Sequence, residues 1–75
     1  MRDKIREFLI NDLGVREDLS DSDALFSSGE LDSLNSLQVL MFMQNEHGLK
    51  ISPLDITIDD IDSIEKIETS IKRLG

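Results

Sequence analysis

The sequence predicts an all-α fold, a small bundle of three main helices plus one short helix. Three observations carry this expectation. Apolar residues recur at helical spacing in three separate stretches, the breaks between them hold residues that start and stop helices, and no alternating run is long enough to build a sheet. The 75 residues are read as a single domain, residues 1–75. A chain of this size buries only roughly 60% of its unfolded surface, which leaves little room for a deep catalytic pocket beside a core.

The first helix is expected over residues 3–13, where Ile5, Phe8, Leu9 and Leu13 share a face and Gly14 is a natural stop. Residues 14–32 are rich in Ser, Asp and Gly and form a long connection, expected to hold one short helical turn near Asp21–Phe26. So long a loop in so small a domain needs anchors, and Val15, Leu19, Leu25 and Phe26 are the candidates.

The second helix is expected from about Ser33 to His47, with Asp32 as N-cap and Gly48 closing it in the left-handed conformation. Leu34, Leu37, Val39, Leu40, Met41, Phe42 and Met43 cover well over half its circumference. A helix packed on one side needs an apolar stripe of only about 100°. The excess requires either a central place in the bundle or a partner.

Residues 50–57, with the only proline at Pro53, read as a second connection, and Ile58–Ile61 as a single helical turn. Asp62-Ser63-Ile64-Glu65 has the acid-x-x-Glu form of a capping box. Ile64, Ile67, Ile71 and Leu74 then continue as a narrow apolar seam, with Lys72 and Arg73 at the negative end of the helix dipole.

Composition excludes several classes of function. Without cysteine there is no disulfide framework, thiolate metal site or cysteine nucleophile. The opening Met-Arg-Asp-Lys-Ile-Arg-Glu is charged throughout and does not resemble a signal peptide. The longest apolar run, Val39 to Met43, is far short of a membrane span. These features lead us to expect a cytoplasmic monomer that does not insert into membranes.

The net charge of −8 is unevenly spread. From Glu17 to Leu49 there are seven acids and no lysine or arginine, so nearly all the excess charge lies on either side of Ser33 in sequence. Such a field repels nucleic acid and steers toward basic protein surfaces.

Ser33 is the leading candidate for chemistry. A serine at a helix start ordinarily caps the helix, but Asp32 is available for that task and frees Ser33 to point outward. The unpaired N–H groups and positive dipole at a helix N-terminus would also favour a phosphate ester there. No base accompanies the hydroxyl: the sole histidine, His47, lies about one helix length away. Catalysis by this chain itself is therefore not expected, and a modifying enzyme would supply base and metal.

Other candidates read as structural. Ser63 repeats the Asp-Ser-apolar pattern but opens a helix with a strict stripe, so it is read as a cap. Ser36 is read as a surface or back-bonding serine. His47 is expected to cap carbonyls or pack at the core edge. It lacks companion metal ligands at suitable spacing. The acidic Asp18–Asp23 stretch lacks the central glycine and terminal glutamate of a calcium loop.

Leu31-Asp32-Ser33-Leu34, opening an apolar helix after an acidic loop with Phe26 and Gly29, resembles an acyl carrier protein. The resemblance extends over essentially the whole chain, including the closing Asp-Ser-Ile-Glu-Lys-Ile helix. It implies a 4'-phosphopantetheine arm on Ser33, attached covalently from coenzyme A by a phosphopantetheinyl transferase. An acyl- or aminoacyl-activating ligase would load the arm, and downstream acyl-transfer enzymes would unload it.

The resemblance also makes the second helix the recognition helix. Its outward face near the serine would include Asp32, Leu34, Asn35, Leu37, Gln38 and Met41. Between Asp32 and Glu46 this helix carries no acid, unlike the carriers of general fatty-acid synthesis. Docking is therefore expected to rely on Leu34, Leu37 and Met41, with acids supplied by the preceding loop. The stretch from Leu25 to Gly48 looks closer to stand-alone carriers such as the D-alanyl carrier protein. An aminoacyl or peptidyl carrier, and an unmodified acidic interaction domain with a carrier fold, are the alternative readings.

Overall fold

Helices form where the apolar spacing places them. The computed structural model describes residues 1–74 and contains α1 (Arg2–Leu13), α2 (Asn35–His47) and α3 (Ile64–Leu74). A single 3-10 turn, Ile58–Ile61, precedes α3, and no strand occurs among the described residues.

The first helix ends as expected. Gly14 adopts φ 72°, and the Val15 N–H reaches back to the Leu9 carbonyl at 3.0 Å. A left-handed glycine turns the chain back on the helix end, and the apolar residue after it packs inward. Val15 is buried accordingly.

The regular part of α2 begins two residues later than expected, at Asn35 rather than Ser33. The Ser36 N–H bonds to the Ser33 carbonyl and the Leu37 N–H to the Leu34 carbonyl, each at 3.3 Å. Residues 33–34 are thus wound by tighter 3-10-type bonds, a common way to satisfy a helix end. Gly48, at φ 63°, follows the last residue of α2 as anticipated.

The connection between α1 and α2 departs more from expectation. No helical turn forms near Asp21–Phe26; the backbone makes bends and turns there. The reason lies across the fold. The amides of Leu25, Phe26 and Ser27, which a helical turn would need, all point at the Asp62 carboxylate. Of the expected anchors, Val15, Leu19 and Leu25 are buried and Phe26 is half-buried; Leu31 is a further buried anchor.

The opening of α3 also differs from the expected capping box. Ser63 is the cap, its hydroxyl accepting the Lys66 N–H at 3.0 Å. Asp62 is turned away toward the loop, and Glu65 is exposed with its N–H on the Asp21 carbonyl. A complete capping box stands instead at the 3-10 turn, between Thr57 and Asp60. Its Thr-x-x-Asp form lay outside the Ser/Thr-x-x-Glu/Gln pattern.

The core forms where α1, α3 and the 3-10 turn pack together and α2 closes over them. Ile5 and Leu9 share one buried cluster with Ile61, Ile64, Ile67 and Ile71, to which α2 contributes Val39, Leu40 and Met43. Phe8 and Phe42 stack at 4.4 Å between ring centroids, joining α1 to α2. His47 packs edge-on to Phe42 at the margin of the core, with its Nε2 buried and unbonded among the described residues.

Candidate functional site

The loop of residues 25–31 leads the chain into the opening of α2. It closes on itself through a Leu31 N–H bond to the Leu25 carbonyl at 2.8 Å. Gly29 makes this possible, since φ 86° is left-handed backbone that other residues avoid. The buried Leu31 side chain then fixes the point from which Asp32 and Ser33 emerge.

Asp32 caps the turn as expected. Its Oδ1 accepts the N–H of Leu34 at 3.0 Å and of Asn35 at 3.2 Å. Asn35 reciprocates through Oδ1, which accepts the Asp32 N–H at 3.0 Å. Ser33 is exposed, and its carbonyl takes the Ser36 hydroxyl at 2.5 Å, the back-bonding arrangement. Among the described residues its own hydroxyl enters no hydrogen bond. Nearby exposed hydroxyls are engaged: Ser27 Oγ donates to Asp62 and Ser28 Oγ to the Ala24 carbonyl. Ser63, the other serine of an Asp-Ser pair, is only 5% exposed.

A cleft of about 350 Å³ lies beside Ser33, lined by Phe26, Leu31, Asp32, Ile58, Asp59 and Asp62 among others. The acids lining the cleft beside the serine therefore include Asp59 and Asp62, which the charge pattern did not single out. The sequence-local acids are largely spoken for. Arg16 pairs with Asp18, Asp23 and Glu30, Arg2 and Arg6 pair with Asp21, and Lys4 pairs with Glu46. Five of the seven acids between Glu17 and Leu49 thus meet bases folded in from outside that window. The field around Ser33 is milder than the sequence alone implies.

Asp62 is the residue that sequence reasoning assigned elsewhere. Its Oδ1 accepts the amides of Leu25 at 3.2 Å, Phe26 at 2.6 Å and Ser27 at 3.0 Å, and its Oδ2 accepts the Ser27 hydroxyl at 2.6 Å. Burial pushes this carboxyl up. The Ser27 hydroxyl and the three amides outweigh burial and hold it below the ordinary carboxylate value. The signal available in the sequence was indirect: once Ser63 takes the cap, an adjacent aspartate needs another employment.

The proposed partner face divides by exposure. Leu34 is 74% exposed, and Leu37, Met41, Gln38 and Asp32 are exposed with it. Asn35 is half-buried and donates through Nδ2 to Gln38 Oε1 at 2.7 Å, so the two polar side chains satisfy each other. Among the described residues there is no metal-binding cluster of His, Cys, Asp or Glu, and no helix long and apolar enough to cross a membrane.

These features define a small helical carrier-type domain with a free serine at a helix opening. The family model for the phosphopantetheine attachment site matches residues 3–71, and the chain belongs to that family. No curated protein and no solved structure matches it. The family's cofactor is covalently attached 4'-phosphopantetheine. Such a group needs an exposed hydroxyl that the helix cap does not use; Ser33 meets both conditions and Ser63 meets neither.

Proposed function

We propose that residues 1–75 are a carrier domain, working in the cytoplasm, that holds acyl groups as thioesters on an arm attached to Ser33. It passes them between biosynthetic enzymes and has no catalytic activity of its own. The observation that carries this reading is the exposed Ser33 hydroxyl, relieved of capping by Asp32, in a chain of the attachment-site family. The arm supplies the thiol that a cysteine-free chain lacks.

In this reading Ser33 Oγ is the acceptor atom, and Asp32 and Asn35 hold the turn that presents it. Proton removal from Ser33 belongs to a phosphopantetheinyl transferase, and cargo activation to a separate ligase. Both dock on the face made by Asp32, Leu34, Asn35, Leu37, Gln38 and Met41. Because most loop acids are already ion-paired, docking draws chiefly on apolar contact at Leu34, Leu37 and Met41.

A second reading concerns cargo. The apolar pocket lined by Leu37, Leu40, Ile56, Ile58 and Ile61 measures about 60 Å³. A benzene-sized guest occupies a cavity of about 150 Å³. The small pocket favours a short cargo, such as an aminoacyl group, over a long chain folded into the bundle.

Intact mass after incubation with coenzyme A, magnesium and a broad-specificity transferase tests the main reading. One arm per chain is expected, lost in Ser33→Ala and retained in Ser63→Ala. No mass gain with several transferases would favour an unmodified interaction domain. On the docking face, Leu37→Asp and Met41→Asp should slow loading while circular dichroism keeps its helical signal; unfolding by either would place that residue in the core. Competing amino acids against fatty acids in ligase loading would choose between the cargo readings.

A further inference from the structure

Asp62 has no role in the attachment reaction as described, yet it is the most heavily bonded side chain near Ser33. It is only 9% exposed and spends both carboxylate oxygens on residues 25–27 of the loop. Its own carbonyl takes the Leu25 N–H at 2.7 Å as well. No ion pair among the described residues includes it, so its charge is balanced by N–H and O–H dipoles. A buried carboxylate is costly unless it is fully hydrogen-bonded. In return it supplies directional bonds, which an apolar anchor does not, and these set the register of the backbone they hold.

The held backbone runs straight to the serine. Leu25, gripped by Asp62, accepts the Leu31 N–H at 2.8 Å, and Asp32 and Ser33 follow directly. Asp62, Asp32 and Ser33 line the same cleft. The start of α3 is thereby tied through one carboxylate to the first turn of α2. On the reading that Ser33 carries the arm, we propose that Asp62 is a positioning residue for that modification: it holds the 25–31 loop so that Asp32 can cap the turn presenting the Ser33 hydroxyl.

A structural role alone would lower stability without a selective effect on loading. Positioning predicts more. Asp62→Ala leaves Leu37, Gln38 and Met41 of the docking face in place, so KM for the carrier should change less than kcat, which should fall on the order of tenfold, the kind of loss that follows misplacement of a reacting group. Hydrogen exchange should quicken at the Leu34 and Asn35 amides more than at Ile67 in the core. Asp62→Asn keeps an acceptor for the loop amides and should restore kcat to within about twofold. Ser27→Ala removes one donor and should fall between, which keeps the inference testable should Asp62→Ala not fold.

Transferase kinetics on these variants, with coenzyme A and magnesium at a temperature where each is folded, provide the test. Ile71→Ala serves as the control, since it destabilises through a core cavity while leaving Asp62 and its loop donors in place. A kcat loss in Ile71→Ala equal to that in Asp62→Ala would overturn the inference. So would unaltered kcat in Asp62→Ala or, if that variant does not fold, in Ser27→Ala. Loading of Ser33→Ala, run alongside, would instead sink the attachment reading itself, so the two failures are distinguishable.

Discussion

Two segments of the chain approach a helix with an aspartate, a serine and an aliphatic residue: Asp32-Ser33-Leu34 before α2 and Asp62-Ser63-Ile64 before α3. Their side chains divide the work in opposite ways. In the first, the aspartate caps and the serine is exposed. In the second, the serine caps and the aspartate is buried, reaching across the fold to the loop that delivers the first pair. Either residue can serve as N-cap, so a local motif does not decide which is spare. Burial decides it. Where the junction faces solvent the spare group is a hydroxyl open to modification, and where it faces inward the spare group is a carboxylate that must find donors.

The largest stability effect should come from the buried aspartate. Asp62→Ala strands the Phe26 and Ser27 amides and the Ser27 hydroxyl, while the Leu25 amide keeps the backbone carbonyl of residue 62, and should cost on the order of 3 kcal/mol. Asp62→Asn keeps one acceptor oxygen, and about 1 kcal/mol is expected. Urea denaturation of the two variants checks the order. Similar costs would mean that the loop finds other partners and that the two aspartates are less different than their geometry suggests.

Acid should erase the same contrast. The Asp62 carboxyl is held below its ordinary value of 3.8 in the folded chain. A depressed carboxyl adds stability above its unfolded pKa, and that stability is lost as pH falls through the folded value. The advantage of the unaltered protein over Asp62→Asn should therefore be constant near neutrality and shrink below about pH 4. Asp21 is also held low, by hydrogen bonds from Arg2 and then Arg6, so both proteins will weaken in acid. The difference between them isolates Asp62. A gap that widens on acidification would contradict its assignment as a charged acceptor.

The contrast also marks what was legible in the sequence. Gly14 and Gly48 as stops, Asp32 as a cap, the Ile58–Ile61 turn and the isoleucine seam of α3 all rest on neighbours within a few residues, and each was readable. The outward exposure of Ser33 was readable for the same reason. The Asp62 bonds join residues 35 to 37 positions apart, a separation that no local period encodes. They are also why the expected turn near Asp21–Phe26 does not form, because its amides are committed elsewhere. The charge pattern failed in a related way. A window without bases looked strongly acidic, but Arg2, Arg6 and Arg16 fold onto it from outside.

The smallest stability effects fall on the serines, and they sharpen the comparison most. Ser63→Ala removes a working cap from the Lys66 amide and should cost about 1 kcal/mol. Ser33→Ala removes a hydroxyl that bonds nothing among the described residues, at an exposed position, and should change stability by no more than about 0.5 kcal/mol. Loading should reverse this order, with Ser63→Ala accepting the arm and Ser33→Ala refusing it. Thermal unfolding and intact mass on the same two variants give both readouts. If Ser33→Ala proved the more destabilising of the two, Ser33 would be sharing the cap with Asp32. Its freedom for modification would then have to arise from fraying of the first turn of α2 rather than from the division of labour between aspartate and serine.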